Sequence, residues 1–288
     1  MSLGGRALPG LTGIDHSLLG VRDLEQARSR FEGLGFTLTP RGRHIGWGTA
    51  NYCIMFEAGY VELLGIVDPA QFTNNLDKFL AQREGLLGLA FGADDAAALT
   101  RALASAGFHP EGPKALKRAL ELPEGEVLPA FELLFLPPEE LPDLRAFFCR
   151  HLSPEIVRRP AWLRHENGAR RLAGLTVASD RPAALAETYG RLFGAAAVRQ
   201  VEGGIEIETG AGRLAFLTPA ALEARFRPLD LPDHPRPWMA AQTIAVEDLA
   251  RLGETLRRRG HAPLAAGDRF LLQPAAANGC LLEFIADA

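Results

Sequence analysis

The stretch IDHSLLGVRDLEQARSRFEGLG, residues 14–35, predicts a strand followed by an amphipathic helix. Residues 14–21 read as a mostly apolar strand. Asp23 can cap the helix, because its carboxylate can accept hydrogen bonds from free backbone N–H groups. The residues at helical spacing are Leu24, Ala27, Phe31 and Leu34. Gly35 then ends the helix, and the same order of features recurs along the chain.

Three further copies of this unit follow the first. Their strands are predicted at residues 86–93, 172–178 and 239–246, their acidic residues are Asp95, Asp180 and Asp248, and their glycines are Gly107, Gly194 and Gly260. Short β-like stretches come after each glycine. One helix for every three or four strands is too sparse for a doubly wound parallel sheet, so the order predicts an α+β fold of four βαβββ modules. Because one module buries only one face of its sheet, the modules must pair.

The repeat predicts two domains. Modules one and two occupy residues 11–155, and modules three and four occupy residues 170–288. Residues 156–169 form the predicted linker, since they contain Pro160 and the turn-like pair Asn167-Gly168.

Composition and charge exclude several classes of protein. The net charge of -4 offers no basic surface for nucleic acid, and no apolar run approaches the ~20 residues of a membrane span. Residues 1–10 lack the apolar core of a secretory signal, and the three separated cysteines read as core thiols of a reducing compartment. We therefore expect a cytoplasmic protein whose partner is a small molecule, and the pattern leaves a homodimer open.

A glycine-rich loop carries a more specific motif. Residues 42–51 read GRHIGWGTAN and are followed by YVELL at residues 60–64. This resembles the signature of the glyoxalase-like domain family, in the vicinal-oxygen-chelate superfamily of glyoxalase, bleomycin-resistance and dioxygenase type. Residues 151–169 are similar to a segment that follows the first domain in such proteins. The resemblance implies that paired modules form half-barrels, each around a metal or ligand site.

In that superfamily, ligands come from inward positions on the first and fourth strands of each module. Module one has His16 and Glu62 at these positions. An imidazole and a carboxylate suit a divalent cation such as Zn, Fe, Mn or Ni. The alternative is a hydrogen-bonded histidine beside a paired acid.

Module two has Gly88 at the first position and therefore offers no ligand there. If residues 144–151 form its fourth strand, His151 would be the third metal ligand. If residues 127–136 form that strand, Glu132 would take its place. The sequence pattern leaves both open.

Modules three and four offer little for a metal. At the inward positions on the first and fourth strands, module three has Gly174 and Ala215, and module four has Gln242 and Glu283. Extradiol dioxygenases of the four-module type place two histidines in this half, and their absence counts against that reaction. The second domain is then a structural duplicate of the first.

The loop at residues 41–51 is the other candidate site feature. His44 is the candidate proton carrier together with Glu62, since an imidazole titrates near neutral pH. Trp47, Thr49 and Asn51 are candidate substrate-binding residues. The alternative is a tight glycine turn with His44 on the surface.

Two functions follow from these residues. The first is a small-molecule enzyme in which a divalent metal chelates an oxygen-bearing substrate, with lyase, isomerase or dioxygenase-type outcomes. The second is a metal-free protein that binds or sequesters a small molecule, of the bleomycin-resistance type.

Overall fold

The computed structural model describes residues 6–287. The first five residues, which begin the segment tested for a secretory signal, and residue 288, which ends the predicted second domain, lie outside the described residues. Among residues 6–287, no helix has both the length and the apolar character to cross a membrane. The described residues form two large sheets, one after the other along the chain.

The first sheet closes on itself. Its strands are β1 Leu11–Gly20, β2 Gly42–His44, β3 Thr49–Met55, β4 Tyr60–Ile66, β5 Gly85–Ala93, β6 Glu111–Leu122, β7 Gly125–Val127, β8 Ala130–Phe135 and β9 Ala146–His151. Their order is β2-β3-β4-β1-β5-β9-β8-β6-β7. β2 also pairs with β6, with His44 opposite Arg118, which closes the eight strands from β2 to β6 in this order into a ring and leaves β7 outside it. The predicted half-barrel is therefore closed.

The second sheet remains open. Its strands are β10 Ala169–Ala178, β11 Val198–Val201, β12 Gly204–Glu208, β13 Arg213–Leu217, β14 Trp238–Val246, β15 Leu264–Ala265, β16 Arg269–Leu272 and β17 Leu281–Ala286. They lie in the order β11-β12-β13-β10-β14-β17-β16-β15. In both sheets the first and last strands of a module pair in parallel, as the βαβββ repeat requires.

The helices are α1 Leu24–Gly33, α2 Leu76–Gln82, α3 Ala96–Ser105, α4 Pro154–Val157, α5 Ala186–Phe193, α6 Pro219–Phe226 and α7 Leu249–Arg258. Asp23, Asp95 and Asp248 each cap a helix as predicted, by accepting hydrogen bonds from backbone N–H groups. Module three differs, because a 3-10 turn at Pro182–Leu185 precedes α5. Asp180 pairs instead with Arg236 at 2.7 Å.

The fourth strand of module two is β9, which pairs in parallel with β5. Of the two strands left open by the sequence, it is therefore residues 144–151 that contain it. β8 is the preceding strand, and its Glu132 forms an ion pair with Arg150 at 3.0 Å.

The two sheets share one hydrophobic core. The same cluster of buried residues contains Leu19 and Phe91 from the first sheet and Val177 and Ile244 from the second. Gly13 marks one close approach, because its φ is +101° and a Cβ there would lie 2.5 Å from the backbone nitrogen of Ala211. The sheets therefore pack as one unit across this interface.

Candidate functional site

The ring of strands in the first sheet surrounds a cavity of about 1090 Å³. His16, His44, Glu62 and Arg118 line it together with many apolar side chains. His234 and Arg236, from the segment before β14, also line it. The cavity is slightly larger than the roughly 300–1,000 Å³ of typical small-molecule sites, so it has room for a small molecule.

His16 and Glu62 meet in this cavity on neighbouring parallel strands. β1 and β4 pair with Leu18 opposite Glu62 and with His16 opposite Tyr60. The Nε2 atom of His16 lies 3.7 Å from Oε2 of Glu62, and both side chains are buried. The His16 ring stacks on Tyr60 with 4.2 Å between ring centroids, which fixes its plane.

His44 reaches the other oxygen of the same carboxylate. Its Nε2 atom lies 3.8 Å from Oε1 of Glu62, and its Nδ1 atom lies 2.9 Å from Oγ1 of Thr49. Burial lowers the pKa of His44, although the Glu62 carboxylate opposes that shift. The ring is therefore neutral at neutral pH. The alternative prediction, a tight glycine turn with His44 on the surface, is therefore wrong.

Asn51 holds the Glu62 carboxylate in place. Its Nδ2 atom donates a hydrogen bond to Oε1 of Glu62, while its buried Oδ1 atom has no partner among the described residues. Gly42 makes room for this amide, since a Cβ at that position would lie 2.2 Å from the Asn51 Oδ1 atom. Asn51 thus orients an acid of the site, but Asn51 itself does not line the cavity, and its orphaned oxygen faces Gly42.

Trp47 forms part of the cavity wall. It is half-buried, and its ring centroid lies 5.6 Å from that of His44 and 5.0 Å from that of Phe72. Thr49 also lines the cavity, where its hydroxyl group is bonded to His44.

His151 does not join His16 and Glu62. Its Nε2 atom lies 3.0 Å from Oδ1 of Asp15, and the same oxygen lies 2.7 Å from Nδ1 of His16. His151 is not among the residues that line the cavity. A β-bulge between Ile14 and His16 explains the arrangement, because it brings Asp15 onto the side of its neighbour His16.

Asp15 is a site residue that the sequence reasoning missed. Burial alone would raise its pKa, but the hydrogen bonds to His151 and His16 prevail and hold the pKa well below its usual range. Asp15 is therefore ionised. Its place directly before His16 is the one signal in the sequence that could have found it.

One group of three candidate metal ligands lies close together among the described residues. Asp15, Cys149 and His151 bring ligand atoms within 4.8 Å of one another. Burial raises the pKa of the Cys149 thiol well above its ordinary value, so without a metal this sulfur is protonated. Oδ1 of Asp15 already binds two imidazoles, which makes this group better suited to orienting His16 than to holding a cation.

The His16–Glu62 pair fits a divalent cation better. Two donors at about 2.1 Å from one ion lie at most about 4.2 Å apart, and the 3.7 Å between His16 Nε2 and Glu62 Oε2 falls under that limit. His44 faces the opposite oxygen of Glu62, so the two histidines do not form a compact group of three with the acid. A cation at His16 and Glu62 would keep open positions for oxygen ligands from a substrate or water.

Module two adds no ligand on the opposite side of the cavity. Ala90 pairs with Phe147, as Leu18 pairs with Glu62 in module one. Phe147 therefore occupies the position of Glu62, and Gly88 has no side chain. The Phe147 ring packs its edge against His16, with 5.7 Å between the centroids.

The acid of the second domain is already neutralised. Glu283 is buried and receives hydrogen bonds from Arg225, Arg269 and Thr243. Glu283 lies opposite Thr243 on β14, so Gln242 points to the other face of the sheet. There it accepts a 2.9 Å hydrogen bond from Ser17 of the first sheet. The sequence pattern placed Gln242 and Glu283 on the same face of the sheet. That prediction is wrong, because Thr243, one residue further along β14, shares the face with Glu283.

Comparison with known proteins gives the family. A sequence profile described as a glyoxalase-like domain matches residues 14–193. No curated protein sequence matches this chain. The profile covers the first sheet and the beginning of the second.

Solved structures share the fold at low identity. A hypothetical protein from Staphylococcus aureus is 13% identical, with a TM-score of 0.67 over 95% of this chain and 99% of that one. A mutant of 4-hydroxymandelate synthase from Streptomyces coelicolor is 14% identical, with a TM-score of 0.62 over 95% and 92%. A fusion of a xylose isomerase-like TIM barrel with 4-hydroxyphenylpyruvate dioxygenase is 13% identical, with a TM-score of 0.56 over 98% of this chain and 49% of that one. The profile match shows that the chain belongs to the glyoxalase-like domain family, and the paired βαβββ modules are those expected from that resemblance.

Proposed function

We propose that the first domain is an enzyme site that moves a proton on an oxygen-bearing small molecule, with a divalent cation at His16 and Glu62. One observation carries this proposal: His16 and His44 face the two oxygens of one buried carboxylate inside the same cavity. Two imidazoles and a carboxylate in a cavity are the groups that proton transfer beside a polarised oxygen requires.

Asp15 sets the tautomer of His16. Because the Asp15 carboxylate only accepts, the Nδ1 atom of His16 carries the proton of their 2.7 Å hydrogen bond. In the neutral ring, the lone pair of Nε2 then faces Glu62. This tautomer of His16 is the one that can bind a metal through Nε2. His151 supports Asp15 from the other side and is a positioning residue in this proposal, not a ligand.

When bound, the cation would act as a Lewis acid toward a carbonyl or hydroxyl oxygen of the substrate. His44 carries the proton, because burial keeps its ring neutral and Thr49 fixes its orientation. Asn51 holds Glu62, and Trp47 covers the cavity beside His44. These groups favour lyase or isomerase chemistry, whereas a dioxygenase-type reaction would use the same cation ligands with a different second substrate.

A metal-free binding protein is the second candidate. The observation that favours it is the lack of a ligand from module two, where Gly88 and Phe147 occupy the paired positions. Under that function, the histidines and Glu62 would only form hydrogen bonds with a ligand.

Metal content separates the two functions. Untagged protein is reconstituted with Mn²⁺, Ni²⁺ or Zn²⁺, dialysed and assayed for bound metal. We expect about one ion per chain in the wild type and a loss of at least about tenfold in affinity in His16→Ala and Glu62→Gln. His109→Ala is the matched control, since His109 is exposed and contacts Glu140, and neither residue lines the cavity.

Proton transfer is tested separately, by solvent deuterium exchange at the carbons α to the carbonyl group of small ketones and 2-oxo acids. His44→Ala should keep the metal and lose exchange by about 10²-fold or more. A protein that takes up none of the three metals would refute the metal-dependent function and favour the binding protein.

A further inference from the structure

Arg118 is a buried cation in the same cavity that the proposed proton transfer does not use. It lies on β6 directly opposite His44 on β2, and its side chain lines the cavity with only 4% of the residue exposed. A guanidinium group remains charged in any protein environment. An arginine at this depth requires a partner, since burial of an unpaired charge is unfavourable.

The described residues supply no anionic contact for this guanidinium. Its one side-chain hydrogen bond goes from Nη1 to Sγ of Cys53 at 3.2 Å, and its buried Nε atom has no partner. Burial raises the pKa of the Cys53 thiol, so the sulfur is neutral and does not balance the charge. Glu62 contributes a favourable field but forms no ion pair with Arg118 within 4 Å among the described residues.

The remainder of the cavity is largely apolar. Leu18, Leu64, Leu116, Leu133, Phe131 and Phe147 are among the residues that line it. The Phe131 ring lies 5.7 Å from the Arg118 guanidinium carbon. The cavity therefore combines one unpaired planar cation, suited to bidentate recognition of a carboxylate, with a wall suited to a hydrocarbon or aromatic body.

We infer that the cavity binds an amphipathic carboxylate, whose carboxylate group is held by Arg118 and whose apolar body fills the space between Leu116, Phe131 and Phe147. This inference rests on the proposed function, because it names the substrate class of that site. The carboxylate would lie beside His44, since the two residues are direct partners across β2 and β6.

Three other arginines line the cavity, of which Arg236 pairs with Asp180 and the other two serve for comparison. Arg83 donates to the carbonyl oxygens of Glu84 and Leu86, and Arg145 donates to that of Asn74. Arg145 is exposed, so its charge is solvated and needs no ligand. Removal of the Arg145 charge therefore measures how much the overall positive potential of the cavity contributes to carboxylate binding, while Arg118 stays unchanged.

The test is calorimetric binding of matched probes to the full chain. The probes are decanoate and 4-phenylbutanoate, each compared with the alcohol of the same skeleton. In the wild type, we expect at least one carboxylate to bind about tenfold or more tightly than its alcohol, as a charge-assisted bidentate bond predicts. Arg118→Gln should reduce that preference to about threefold or less, while Arg145→Gln retains it.

Alcohol binding to Arg118→Gln verifies that the variant folds with an intact cavity. Arg118→Lys, which keeps the charge without the fork, should show an intermediate preference. Equal binding of both carboxylates and their alcohols by the wild type, or a preference that survives in Arg118→Gln, would overturn the inference. The assay involves neither metal nor turnover, so its failure is distinct from failure of the proposed proton transfer.

Discussion

Asp15→Asn is the perturbation that tests the hydrogen-bonded group behind His16. Oδ1 of Asp15 is 2.7 Å from Nδ1 of His16 and 3.0 Å from Nε2 of His151. The amide oxygen of asparagine can accept the same bonds but carries no charge. A hydrogen bond to a charged group contributes roughly 1.5–3 kcal/mol and a neutral one roughly 0.5–1.5, so each bond loses about 1–1.5 kcal/mol. The two bonds together predict a loss of about 2–3 kcal/mol in the free energy of unfolding.

Urea unfolding at pH 7 measures this loss by linear extrapolation. Asp23→Asn is the matched control, because Asp23 is an exposed helix cap where asparagine is equally good, and its expected effect is within about 0.5 kcal/mol. If a metal binds at His16, the Asp15 variant should also lose about 10- to 100-fold in metal affinity. A stability difference between the two variants below about 0.5 kcal/mol would refute the reasoning that this carboxylate anchors both histidines.

Three further variants test the packing around the site. Gly42→Ala places a methyl group 2.2 Å from Oδ1 of Asn51, so we expect a loss of about 1–3 kcal/mol in urea unfolding and displacement of the amide in a crystal structure. Ser17→Ala removes the donor to Oε1 of Gln242 and should cost about 1–3 kcal/mol, and an unchanged urea midpoint would contradict a buried bond between the sheets. Burial lowers the pKa of His165, so its unfolded form binds protons more readily and stability should fall as pH drops below about 6.5. His165→Ala should lose that part of the pH slope measured by urea unfolding from pH 8 to pH 5, and an unchanged slope would show that His165 does not titrate on unfolding.

The repeat could be found in the sequence because it depends on local chemistry. Asp23, Asp95 and Asp248 cap their helices from within the same few residues, and the apolar spacing of each helix follows its period. The family resemblance then singled out His16 and Glu62, because it implies ligands on the first and fourth strands of a module, and these two strands are neighbouring parallel strands. Paired modules, and with them the fold class, followed from these patterns.

The rest of the site depended on pairings between distant segments. No local signal indicates that β6 closes the ring on β2, so Arg118 could not be placed in the cavity from the residues alone. A bulge beside His16 decides that His151 reaches Asp15 and not Glu62, and a shift of one residue turns Gln242 toward the first sheet. Strand register has a period of two residues, so a single step moves a side chain to the opposite face. The sequence by itself therefore determined which residues can do chemistry on each module, whereas only the tertiary structure decided which of them share a cavity.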